Sequence, residues 1–368
     1  MLGMNKKILF IGNSGLKHKS KDGQTTKVRL YLKKLKDEGV DVRFVDLENF
    51  IFKPFSSLLK IKAGIKWCDR IVLISAERGC KLLIPFINRY NKKYQKPFIL
   101  PLVGSGVLHY SIDHLSDEEK VKFFVDGDYS IGKSQKKIER ELKKITYILP
   151  ETELMKKVYS EYYNLDNCVV LNNFRDFDVN VENHSISTPL KLVFLSRVMR
   201  LKGVFELIEA IKVINREQIK VTLDIYGDTN FNKDDSNHFN SSLNNQIIYK
   251  GSIDNNTVIK TLSLYDLFIF PTNAVFEGTP GVIAESLIAG TPILSSNFPQ
   301  AKFLLEDEYD SLLFEMFSVE DLIKKLGYVV ENKKVLAQMR ENALKSGRKY
   351  LYRFNRQIFL KYVCGVEE

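Results

Sequence analysis

Short apolar runs rich in β-branched residues alternate along this chain with stretches of helical spacing. Lys7–Asn13 (KILFIGN), Val40–Leu47, Arg70–Ser75, Pro97–Gly104, Ile145–Pro150 and Cys168–Asn172 read as strands. Between them, Thr25–Lys36 places Val28, Leu32 and Leu35 on one helical face, and Leu82–Tyr94 and Glu151–Tyr163 are helical as well. Residues 174–190 (FRDFDVNVENHSISTPL) are polar and turn-rich, without sustained period, and read as a linker that holds a hinge. The alternation then restarts. Leu190–Leu195, Val221–Tyr226, Ile247–Lys250, Leu267–Pro271, Pro292–Ser296 and Ser311–Phe314 are strand candidates, and Val204–Asn215 is a helix. Lys345–Val366 reads as one long basic and aromatic helical stretch.

Strand-helix alternation predicts a parallel sheet with helices on both faces. Two such series imply an α/β chain of two doubly wound domains, residues 1–178 and 187–344, with residues 345–368 a terminal helix packing back on the first. In open sheets of this kind ligands sit outside the carboxyl ends of the strands, so the loops that follow strands are where chemistry is expected.

Length and composition agree with this: 368 residues, 44% hydrophobic and 27% charged, suit about two soluble globular domains. Charge adds something new. The net +10 is uneven, with 33 Lys and Arg against 20 Asp and Glu in residues 1–175, and 22 against 25 in the remainder. A basic half attracts polyanions or an anionic membrane surface; equally, lysine-rich surfaces serve solubility. Cys68, Cys80, Cys168 and Cys364 form no CxxC pair and have no His at ligand spacing, so they read as reduced thiols and no metal is expected. The start of the chain lacks the features of a signal peptide, and no apolar run is long enough to cross a bilayer, which together predict a cytoplasmic protein with at most peripheral membrane contact.

The richest segment begins at Leu267 (LFIFPTNAVFEGTPGVIAESLIAGTPILSS). An apolar strand ends at Pro271, a loop carries Glu277-Gly278-Thr279-Pro280-Gly281, and a helix, Gly281–Ala289, ends at Gly290. Thr279 suits the N-cap and Pro280 the first helical position. Glu277 stands at the helix start, where free backbone N–H groups suit phosphate or sugar oxygens. Glu285 lies among Val282, Ile283, Leu287 and Ile288, where a carboxylate is costly without a partner such as a pair of sugar hydroxyls. Spacing alone leaves open that both are ordinary solvated helix carboxylates.

These residues resemble the donor-binding motif of the retaining GT-B glycosyltransferases known as glycosyl transferases group 1. Pro271-Thr272, Glu277-Gly278, Pro280, Glu285 and Ala289-Gly290-Thr291-Pro292 all match its pattern. The resemblance implies that Glu277 holds the donor sugar and Glu285 the ribose. Upstream, LVFLSRVMRLKGVFELIEAI resembles the family's Ser-Arg…Lys-Gly segment, which implies that Arg197 and Lys202 hold the donor diphosphate. Two fixed cations there would neutralise the charge of a departing nucleoside diphosphate. Gly227 and Gly251 match glycines at strand ends near the nucleotide. In the first half, Gly15 lies in the loop Gly12–Gly23, which also carries Lys17, Lys19 and Lys21, and His109 follows Gly104-Ser105-Gly106 where many members have a histidine.

The resemblance further implies two Rossmann-like domains facing each other across a cleft, the first binding the acceptor and the second the sugar nucleotide (UDP or GDP). No cofactor is expected beyond that donor substrate. The expected acceptor is lipid-linked or saccharide, in bacterial surface polysaccharide assembly such as capsule or lipopolysaccharide, at an anionic inner-leaflet membrane surface. Leu58–Lys66 and Leu82–Lys96 are the candidate surface-contact segments. Asp126-Gly127-Asp128 and Gly127–Ser134 (GDYSIGKS) match a DxD triplet and Walker A spacing, and read as accidental turns. No GxGxxG follows either opening strand, which disfavours a dehydrogenase. An epimerase of the same fold and an inactive GT-B subunit holding a membrane glycosylation complex together remain alternatives. Charge alone speaks for nucleic acid, and none is expected as a partner.

Overall fold

The computed structural model describes residues 6–16, 22–50, 52–177, 185–275 and 277–366. The chain forms two units, Met1–Asp176 with Tyr352–Glu368, and Phe177–Leu351.

The first unit is built on a parallel sheet of β1 (Lys7–Gly12), β2 (Asp41–Asp46), β3 (Arg70–Ile74), β4 (Phe98–Pro101) and β5 (Tyr147–Leu149), in the order β2-β1-β3-β4-β5. Ile8, Leu9, Phe10 and Ile11 are all fully buried, because a central strand covered on both faces needs an unbroken apolar run. The crossover helices are α1 (Gly23–Asp37), α2 (Pro54–Trp67) and α3 (Glu77–Asn91). Asp22 caps α1 by accepting from the Thr25 amide, and Lys34 and Lys36 face its negative end. Buried Lys27 on α1 donates to Glu151 after β5 and to the Leu102 carbonyl, both at 2.6 Å.

Two expectations are corrected here, and a third is met. Cys168–Asn172 is not a full strand: it runs beside the three-residue β5 through the Cys168–Ile148 bridge, with the Val169 amide on the Ile148 carbonyl and the Leu171 amide on the Pro150 carbonyl, too short a pairing to form a ladder. The terminal helical stretch is interrupted. A helix runs Lys333–Gly347, Leu351 is extended, and a new helix covers Tyr352–Ile358, because the Tyr352 amide donates to the Arg175 carbonyl instead of continuing the coil. Phe359, Leu360 and Val363 then enter the core of the first unit, where the Tyr31 ring lies 5.4 Å from Phe174 and 5.2 Å from Phe359. GDYSIGKS is no phosphate loop: it follows a helical turn, Lys122–Asp126, holds a short turn at Tyr129–Ile131, and its Asp128 accepts from the Ser130 amide. Lys17, Lys19 and Lys21, and residues 178–184 of the expected linker, lie outside the described residues. Phe174 belongs to the first core and Phe177 packs on the second.

The second unit carries β6 (Leu190–Leu195), β7 (Val221–Tyr226), β8 (Ile247–Gly251), β9 (Leu267–Phe270), β10 (Ile293–Ser296) and β11 (Ser311–Phe314), parallel throughout, in the order β11-β10-β9-β6-β7-β8. The order reverses between β6 and β9. Chain leaving those two neighbours departs in opposite directions, which opens a crevice at their carboxyl ends.

Candidate active site

Two loops meet at that crevice: residues 196–203 after β6 and residues 271–280 after β9. Two glycines set how closely backbone approaches backbone. A Cβ on Gly203 (φ +73°) would stand 1.7 Å from the Pro271 carbonyl oxygen, and one on Gly227 (φ +134°) would stand 1.8 Å from that of Ser196. Only glycine permits either approach. The Asn273 amide then donates to the Leu201 carbonyl at 2.9 Å, and its side chain donates to Glu206 at 3.0 Å. The two loops are therefore tied backbone to backbone.

This clamp brings together residues 75 positions apart. Lys202 ends a short 3₁₀ turn, Arg200–Lys202, and its ammonium donates to Glu277 Oε1. The two side chains are 10% and 12% exposed. Thr272 Oγ1 donates to the same oxygen at 2.8 Å and accepts from the Ala274 amide at 3.2 Å; the Thr272 carbonyl accepts from Ser296 Oγ at 2.6 Å. The Gln300 side chain donates to the Glu277 carbonyl at 3.2 Å. Glu277 is thus held at both its backbone and its carboxylate.

Burial first, and the positive charge of Arg197 second, lower the Lys202 pKa to about 8. With a pKa of about 8 the ammonium is still charged at neutral pH, where it donates to Glu277. Arg197 itself is exposed at the start of the same loop, and among the described residues it has no ion-pair partner. Arg200, by contrast, is committed to Asp235 at 2.5 Å.

The helix after the second loop spans Gly281–Ile288. Pro280, not Thr279, is its N-cap, extended at φ −60°, ψ 119°. The proline ring tolerates this extended conformation, and its carbonyl accepts from the Ile283 amide at 3.1 Å. The first turn therefore starts at Gly281, and its N-cap residue supplies no side-chain cap. Gly281, Val282 and Glu285 are the residues of this helix that are not buried, so Glu285 lies one turn below the helix start on its open face. Gly278 and Thr279 are half-buried in the loop above it.

Gly227 follows β7, and its amide donates to the carbonyl of Gly251, which closes β8. Arg197, Lys202, Gly227, Gly251, Glu277 and Glu285 thus all stand at the carboxyl side of one sheet. Gly15 and His109 belong to the first unit. Gly15 is in the loop after β1, its amide donating to Asn13 Oδ1 at 3.0 Å, and the half-exposed His109 ring is 4.0 Å from Glu77. Sequence reading missed Thr272, Gln300 and Asn273 as supports of the site. Thr272 had a signal, since it sits inside the matched Pro-Thr pair; the other two had none.

The comparisons add the family. Residues 176–346 match the model for glycosyl transferases group 1. That segment, and with it nearly all of the second unit, is similar to the family. A poly(glycerol-phosphate) alpha-glucosyltransferase of Bacillus subtilis is 23% identical over 219 residues, 53% of this chain and 32% of that protein. The chain thus spans about a third of the length of that curated relative. Among solved structures, HepE of Anabaena in complex with UDP and glucose superposes with a TM-score of 0.71 at 14% identity, over 98% of this chain and 100% of that one. TarM of S. aureus, in a complex that includes UDP, has a TM-score of 0.61 at 17% identity, over 83% of this chain and 58% of that one. The fold is accordingly GT-B, two Rossmann-like α/β units.

Proposed function

We propose that this chain is a retaining, metal-independent glycosyltransferase that moves a sugar from a nucleoside-diphosphate sugar to a lipid-linked or polysaccharide acceptor. The observation that carries the reading is the tied pair Lys202–Glu277 beside the exposed Arg197, at the switch point of a group 1 domain. UDP is favoured over GDP because HepE and TarM were both solved with UDP.

On this reading the second unit binds the donor, with the ribose hydroxyls on Glu285 and the diphosphate at the Gly281 amide and on Arg197 and Lys202. Glu277 accepts from hydroxyls of the sugar. As the bond from the anomeric carbon to the diphosphate breaks, its electron pair stays with the leaving oxygen. Arg197 and Lys202 offset that growing charge, and Lys202, already held against Glu277, needs little reorganisation. The acceptor hydroxyl bonds to the same carbon and passes its proton to the departing diphosphate oxygen. The first unit takes the acceptor. Its excess of basic residues suits a carrier bearing phosphate at an anionic inner-leaflet surface, in surface polysaccharide assembly.

The test is a binding and hydrolysis screen of nucleoside-diphosphate sugars, with Glu285→Ala and Arg197→Ala beside the parent. One donor should bind and turn over slowly, and both variants should lose this. Donor binding without turnover on any acceptor would instead favour an inactive subunit. An inverted linkage in the product, read by NMR, would overturn retention.

A further inference from the structure

The first unit leaves large apolar side chains in water at one place. Phe52 and Phe55 are each 81% exposed, Leu59 is 64% exposed and Leu82 is 57% exposed. Phe55 and Leu59 are neighbours at i and i+4 on α2, and Phe52 stands one turn earlier; the opposite face of α2 buries Ser57, Ile61, Gly64 and Ile65. Leu82 lies in the second turn of α3. Both helices are crossovers between parallel strands advancing in one direction, β2 to β3 and β3 to β4, so they pack side by side on one sheet face. Lys62 on α2, 4.2 Å from the Tyr90 ring centroid on α3, joins them. Both start at the carboxyl edge of the sheet. The apolar side chains therefore sit together there, and exposed Lys53, Lys60, Arg78 and Lys81 surround them. From Lys53 to Lys96 the chain holds 11 basic residues and only two acidic ones.

We propose that this face docks the chain on a bilayer with anionic headgroups, the two phenyl rings entering the acyl boundary and the lysines meeting the headgroups. Its charge pattern selects the occupant. A soluble polyanion would satisfy the lysines and leave the phenyls in water. A second copy would cover the phenyls but set lysine against lysine. An anionic bilayer answers both at once. The face differs from the segments expected from sequence: Leu58 is half-buried, and the apolar part is carried by Phe52 and Phe55 before it. The proposal deepens the membrane part of the functional reading and rests on it. Binding is read without a sugar donor, so its failure leaves the transferase reading standing.

The experiment is co-sedimentation of the full chain with phosphatidylcholine vesicles and with vesicles containing phosphatidylglycerol. Binding should need the anionic lipid and weaken with salt. Phe52→Ser with Phe55→Ser should cost on the order of 100-fold in partition, at an unchanged melting temperature. Each of Lys53→Gln, Lys60→Gln and Lys81→Gln should cost about five-fold. In a Phe55→Trp variant, brominated acyl chains should quench the added fluorescence beyond that of Trp67. The proposal is overturned if the parent ignores anionic vesicles, or if the double serine variant binds like the parent. It is also overturned if soluble polyphosphate displaces the parent while position 55 stays unquenched, or if the phenyls instead support a concentration-dependent dimer.

Discussion

Replacing Lys202 with methionine separates what the Lys202–Glu277 pair does for the fold from what it does for the donor. Both side chains are about nine-tenths buried, so removing the ammonium strands a carboxylate with little water to take its place. Breaking one side of a buried pair costs about 3–5 kcal/mol. The lower end applies here, because the Thr272 hydroxyl still donates to the same oxygen. For a unit of this size, about 3 kcal/mol lowers the melting temperature by roughly 6–12 °C. The double variant Lys202→Met, Glu277→Gln removes both charges, keeps an acceptor for Thr272, and should return to within about 1 kcal/mol of the parent. Donor turnover should not return: both variants should stay down on the order of 100-fold or more, since the charge developing on the diphosphate has lost a fixed cation. Differential scanning calorimetry and hydrolysis of the donor found in the screen give the two readings. A Lys202→Met protein that melts with the parent, or a double variant no more stable than the single one, would refute the buried-pair argument.

Three further outcomes are expected. Arg197→Ala should leave the melting temperature unchanged, because this exposed side chain has no ion-pair partner among the described residues, yet lower turnover on the order of 100-fold; chemical denaturation and the hydrolysis assay check the two halves. Donor affinity should fall as pH rises through about 8, where burial and Arg197 place Lys202, since a lysine loses its charge on the alkaline side of its pKa; calorimetric titration across pH should show this for the parent and not for Lys202→Arg. Gly203→Ala should destabilise the second unit by about 3 kcal/mol or more, the sum of a left-handed backbone and a Cβ driven into the Pro271 carbonyl, and should appear as loss of soluble protein or a much lower melting temperature.

What sequence could reveal here followed the range of the underlying forces. Strands buried on both faces need apolar runs, so β1, β3, β6 and β9 were legible almost to the residue. The site motif was legible because its residues lie within two short loops. The contact between those loops was not, since Lys202 meets Glu277 across 75 positions through a backbone approach that no local pattern encodes. The cap was misread because Thr279 and Pro280 are equally plausible by propensity, and the path of the loop decides between them. The tail looked like one helix because its composition is helical throughout; the break at Leu351 is imposed by a bond to Arg175, far away in the chain. Phe52 and Phe55 escaped notice for a related reason: a phenylalanine is expected inside, and only the three-dimensional structure shows one left out.

The way the chain returns to its first unit also bears on the order of its own birth. Domains fold as units while synthesis proceeds. Phe359, Leu360 and Val363 belong to the same core as Tyr31 and Phe174, so that core stays open until they have been translated. The second unit is one uninterrupted stretch, Phe177–Leu351, and has all its residues before then. The later-made half is thus the first to be able to close, and the earlier-made, lysine-rich half keeps a gap in its core until Phe359, Leu360 and Val363 fill it.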